Sequence, residues 1–165
     1  MSKAFLRVVL LGFVAVVLQG TVLPHFAVFG GRVNVLVAVV TVVSLSYGAL
    51  AGLMAGFGIG LLADLVLGTA LGLAALPLVL IGYFTGYLER HVYRDAYLVP
   101  VVVGFLGTAF FELVVLALSN VAFAVWWRRA FVSVFIPTVL VNAALMPWVH
   151  QWLTRLLPSQ REELD

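Results

Sequence analysis

The chain has 165 residues, 64% of them hydrophobic and only 10% charged, with a net charge of +2 and no cysteine. Soluble domains carry about 25% charged residues, so this balance, with a mean hydropathy of +1.19, marks a protein whose solvent is lipid. So few charges exclude a surface that tracks nucleic-acid phosphates, and the missing thiols exclude disulfides, thiolate metal sites and cysteine nucleophiles.

A spanning helix takes about 20 apolar residues, so six would use about 120 and leave no length for a second domain. The first apolar run is 5–23, behind Lys3 and Arg7. No small-x-small cleavage site follows Leu18-Gln19-Gly20-Thr21, so it reads as a retained span. Further runs lie at 33–47, 48–67, 69–88, 97–119 and 131–157. A single helix over 33–67 would reach about 52 Å, well beyond an apolar core of about 30 Å, so a break at Ser46-Tyr47-Gly48 is required. The expected fold is an all-α, polytopic six-helix bundle forming one transmembrane domain.

Basic residues accumulate on the cytoplasmic side of short loops. Six spans place Lys3, Arg7, Arg90, Arg94, Arg155 and Arg161 on one side and Arg32, Arg128 and Arg129 on the other. Merging the second and third spans erases that bias, so six spans with both termini cytoplasmic is the better solution. Trp126, Trp127, Trp148 and Trp152 all fall at span ends, where amphipathic rings anchor a helix to the interface. Alternatively Trp126, Trp127, Arg128 and Arg129 form an external lip that meets a partner, since adjacent aromatics and arginines are common at binding hot spots.

The third span is the densest in signal. Gly48, Gly52, Gly56 and Gly60 recur every fourth residue, and Asp64 and Gly68 continue the series. Small residues at this spacing let helix backbones approach in lipid, either within the chain or against a partner. Successive members drift by about 40°, so Gly56, Gly60 and Asp64 share a side and Gly48 does not. Asp64, near the end of the span, is interfacial or buried. Glu112 lies deeper in the fifth span and is expected to be protonated or hydrogen-bonded and to face the bundle. Asn142 is a further intramembrane polar group, with Gln19, Thr41, Ser44 and Thr108. Pro137 and Pro147 can each kink the last span.

Catalytic templates do not fit. His25, His91 and His150 stand on different segments without acidic neighbours at metal-ligand spacing, and GxSxG, P-loop and HExxH motifs are absent. No enzymatic activity, metal or cofactor is expected. The alternative with some chemistry behind it is a small-solute-binding subunit of a transporter, with Glu112 and Asn142 as the polar contacts.

The run from Gly52 to Leu76, GLMAGFGIGLLADLVLGTALGLAAL, resembles the pattern of the MreD family. That pattern is a glycine-rich third span, an aspartate near its outer end, and a Gly-x-x-x-Gly pair, here Gly68 and Gly72, opening the fourth span. The stretch Ile136 to Leu153, IPTVLVNAALMPWVHQWL, is similar to the family's last span, with its proline, asparagine and second proline. The chain departs at Val33-Asn34, where many relatives carry proline and aspartate, although Asn34 can still cap the second helix. The resemblance implies a rod shape-determining protein of the bacterial inner membrane. It would be a non-enzymatic elongasome subunit that binds MreC and works beside MreB, RodA and a class B penicillin-binding protein in peptidoglycan synthesis. It also implies a fold similar to the substrate-binding S component of energy-coupling-factor transporters. The glycines at 52, 56, 60, 68 and 72 would then be the packing or docking face.

Overall fold

The computed structural model describes residues 3–25, 30–89, 98–118 and 131–157. Among these, six α-helices follow in order: α1 (Lys3–Thr21), α2 (Val35–Tyr47), α3 (Ala49–Leu67), α4 (Ala75–Glu89), α5 (Leu98–Leu118) and α6 (Ile136–Leu156). A 3-10 turn at Leu23–His25 follows α1, and a π-helical turn at Phe131–Phe135 leads into α6. Pro137 sits in the first turn of α6, directly after the π-helical turn, and Pro147 lies inside the helix.

The centre of the bundle is α2. Every residue from Leu36 to Ser44 is buried, so this helix has no exposed side, and it packs against the other five. Its sequence is apolar all round, as a helix enclosed by others must be. Asn34 caps it, the side-chain oxygen accepting from the N–H of Val37 at 3.3 Å. At its other end the break falls on Gly48, with φ 85° and ψ −178°, and α3 starts at the next residue. No atom lies near a Cβ built there, so conformation alone calls for glycine.

The exterior is apolar. Leu50, Leu65, Leu71, Leu106, Leu140 and Phe57 all stand more than half exposed, and Trp148 and Trp152 reach 79% and 72%. Such a surface needs hydrocarbon around it. Among the described residues four segments, Phe5–His25, Ala49–Leu67, Val101–Leu118 and Ser133–Leu156, are long and apolar enough to cross a membrane. With 13 and 15 residues, α2 and α4 cover only about 20–23 Å as helices.

This corrects the expected second and fourth spans. The second helix begins at Val35 rather than 33, after an extended stretch. The fourth begins at Ala75 rather than 69, because residues 68–74 form a folded connection. Both short helices are thus preceded by non-helical backbone, which in a membrane is tolerated only where the protein satisfies its polar groups.

Candidate functional site

Gly52, Gly56 and Gly60 of α3 lie against α4, which runs antiparallel to it as its most extensive partner, and Gly52 also lies against the Ser44 side chain of α2. A Cβ on Gly52 would meet the carbonyl of Gly82 at 2.5 Å. One on Gly56 would meet the backbone of Leu78 and, at 2.9 Å, the amide nitrogen of Val79. One on Gly60 would press on the backbone of Ala75. The contact is reciprocal: Gly82 approaches Gly52, and Gly86 meets Gly48 and Ala49. The two helices interlock backbone on backbone, the arrangement small residues permit in lipid. The second half of the interlock, Gly82-x-x-x-Gly86, is present in the sequence as GYFTG but was not singled out there.

Gly68 and Gly72 do not belong to that face. Both are left-handed, with φ 66° and 96°, and no atom lies within 4 Å of a Cβ built on either. They are turn residues of the connection between α3 and α4, which corrects the expectation of a Gly-x-x-x-Gly packing pair opening the fourth span.

The connection is folded around Asp64, which is 1% exposed in the last turns of α3. Its Oδ1 accepts from the Thr69 hydroxyl at 2.8 Å and from the N–H of Ala74 at 2.9 Å. Its Oδ2 accepts from the N–H of Gly72 at 2.8 Å and of Ala75 at 3.3 Å. Other amides bond within the connection. Leu73 donates to the carbonyl of Ala70, Leu76 to Gly72 and Leu78 to Ala74, and Pro77 has no donor to place. Asp64 therefore serves as a cap for α4 delivered from the end of α3, taking the amides of Ala74 and Ala75 at the helix start, where every helix leaves donors open. Its four lone-pair positions are all in use, leaving none for a ligand.

A second polar cluster holds the stretch before α2. The Asn142 Nδ2 donates to the carbonyls of Arg32 at 2.9 Å and Thr138 at 2.7 Å, while its Oδ1 accepts from the N–H of Asn34 at 2.7 Å. The Thr138 hydroxyl accepts from the N–H of Arg32 at 3.0 Å. From the other side, Gln19 at the end of α1 donates to the carbonyl of Val33 and accepts from the N–H of Val35, both at 3.1 Å. Gly31 passes so close to α6 that a Cβ would meet the Pro137 carbonyl oxygen at 2.7 Å.

Both clusters lie at the end of the bundle where α1 and α3 finish and α2, α4 and α6 begin. In each, a side chain of a long helix satisfies the backbone that lengthens a short one. Glu112, on α5, is half-buried. The structure does not bring Glu112 together with Asp64 as a carboxylate pair. Beside Asn34, Asn142 and Thr108 there is a crevice of about 10 Å³, room for about one water molecule. Thr41 is fully buried, and its hydroxyl has no partner among the described residues. Among those residues no group of three histidine or acidic side chains could hold a metal. Trp126, Trp127, Arg128 and Arg129 lie outside the described residues.

The roles of Asp64 and Asn142 were missed in the sequence, where both stood as isolated polar groups. The spacing gave one hint: Asp64, Gly68, Thr69 and Gly72 place an acceptor, two turn residues and a hydroxyl within nine positions.

A family model described as rod shape-determining protein MreD matches residues 2–159. No curated protein and no solved structure matches the chain.

Proposed function

The chain belongs to the MreD family, and from that membership we propose that it is a non-enzymatic membrane subunit of the bacterial rod-shape complex, the elongasome. In this reading MreC is its direct partner, and MreB, RodA and a class B penicillin-binding protein belong to the same assembly. It supports peptidoglycan synthesis and cell shape by association rather than by chemistry. The carrying observation is the family match along nearly the whole chain. The use of Asp64 and Asn142 on backbone groups, instead of on an open site, supports a role in association.

The protein sits in the inner membrane as a single transmembrane domain with both termini cytoplasmic, as the six-to-three distribution of basic residues favours. The end bearing the two polar clusters then faces the periplasm, together with Arg32 and the Trp126 to Arg129 segment. Within the chain α4 is seated on the glycine stripe of α3, which favours a docking face elsewhere. Contact with MreC falls instead to lipid-facing helix sides and to the periplasmic connections.

The transporter alternative places its solute at Glu112 and Asn142, and the crevice beside Asn34, Thr108 and Asn142 admits about one water. Purification from the native host in mild detergent separates the two readings. Recovery of MreC or another shape-complex protein with the chain is expected; recovery of a stoichiometric small metabolite without any such protein would overturn the proposal.

A further inference from the structure

The polar cluster ahead of α2 does not use all of its hydrogen-bonding groups. The Asn34 oxygen accepts from the N–H of Val37, which fixes the orientation of the side-chain amide and sets its nitrogen on the other side. Neither hydrogen of that nitrogen is taken by an acceptor among the described residues. On α5, Thr108 is 1% exposed, and its hydroxyl bonds to no described residue, not even to a carbonyl one turn back in its own helix. Asn142 holds a third open position. Its nitrogen spends both hydrogens on the carbonyls of Arg32 and Thr138, while its oxygen takes the N–H of Asn34 and keeps a second lone pair.

These three side chains line one crevice, and they are the only polar ones among the described residues around it. Ala38, Leu145 and Met146, also in the lining, offer them no partner. Buried polar groups in native proteins are almost all satisfied, and where two to four of them converge on a small space an ordered water satisfies them. An apolar cavity stays dry, so the chemistry of the lining selects the occupant. We propose that the crevice binds one ordered water, which accepts from the Asn34 Nδ2 and donates to the Asn142 Oδ1 and the Thr108 hydroxyl.

The water ties α5 to the two elements that Asn142 already joins. Beside it α5 and α6 touch through apolar atoms, with the Met146 side chain packed on Gly104, one turn from Thr108. Dispersion contacts of that kind let two helices slide in lipid, whereas a hydrogen-bonded water fixes their register.

Met146 reports on the site, being 3% exposed, part of the crevice lining and oxidisable to the sulfoxide. X-ray irradiation of the full chain in mild detergent makes hydroxyl radicals from bound water in place, and peptide mass spectrometry reads the sulfoxide at each methionine. Thr108→Val keeps the shape of the side chain and removes its hydroxyl, whereas Thr108→Ser keeps the hydroxyl. Relative to the exposed Met54, Met146 should oxidise at least fivefold faster in the wild type and in Thr108→Ser than in Thr108→Val. Equal rates in the wild type and Thr108→Val overturn the proposal. A structure of the wild-type chain in lipid, at a resolution that shows waters, decides it without variants. Density within hydrogen-bonding distance of all three side chains supports the water, and an empty crevice overturns it.

Discussion

The Oδ1 atom of Asp64 accepts a hydrogen bond from the backbone N–H of Ala74 at 2.9 Å, so the end of α3 caps the beginning of α4 ten residues later. Three other donors share that carboxylate, and of these only the Thr69 hydroxyl also reaches the main-chain carbonyl of Asp64, at 3.5 Å. Each amide left unsatisfied in a buried site costs about 1–3 kcal/mol. Asp64→Ala should therefore lower stability by at least about 3 kcal/mol and sharply reduce the folded yield. Asp64→Asn, which keeps one acceptor oxygen, should fall between it and the wild type. Thermal unfolding in detergent, followed by size-exclusion chromatography, checks the order; an Ala variant as stable as the wild type would refute the capping role.

Gly56 and Gly58 are two residues apart and should respond oppositely. A side chain at Gly56 meets the backbone of Leu78 and Val79, which cannot move without parting α3 from α4, whereas one at Gly58 meets nothing. Gly56→Leu should cost about 3 kcal/mol or more through overpacking and prevent folding. Gly58→Leu should fold with at least wild-type thermal stability, since leucine is the better helix former by up to about 1 kcal/mol. The same melting measurement decides it.

For Asn142, replacement by leucine nearly conserves volume but removes one acceptor and two donors from the stretch before α2. The N–H of Asn34 and the carbonyl of Arg32 then lose their partner, an expected loss of about 2–4 kcal/mol. Because the chain has no cysteine, a single cysteine introduced at Val33 can report the change. Its labelling by a small maleimide should accelerate at least tenfold in the Asn142→Leu background. Unchanged labelling would show that α6 does not hold this stretch.

The proposed orientation is tested with the same cysteine-free background. Ala70→Cys, in the exposed connection after α3, should react with a membrane-impermeant maleimide in cells whose outer membrane is permeabilised. Ser46→Cys, at the opposite end of the bundle, should react only after lysis. The reverse pattern would invert the assignment of both termini.

What the sequence revealed and what it hid divide along physical lines. Composition and span length are one-dimensional properties, so the six helices and the break at Gly48 were readable. Asn34 was likewise readable as a cap, because its bond to Val37 is local. The glycine stripe was visible too, but its partner was not, because periodicity gives a face and not what lies against it. Asp64 stood open between interfacial and buried for a related reason. Hydropathy sees one carboxylate near the end of an apolar run, while its function depends on donors five to eleven residues further on, brought back by two left-handed glycines. Asn142 lies more than a hundred residues from the amide it accepts from, a separation no local pattern encodes.

The capping of α4 by Asp64 also bears on how the chain enters the membrane. Taken alone, α3 would carry a carboxylate into hydrocarbon at a cost of up to about 3 kcal/mol, and α4, with 15 residues, is short for a helix that must be recognised by itself. Each lacks what the other supplies. The two are thus suited to leave the insertion machinery as a hairpin, with the bonds around residues 64–75 forming before release into lipid. For this chain the unit of biogenesis would be a helix pair rather than a single span.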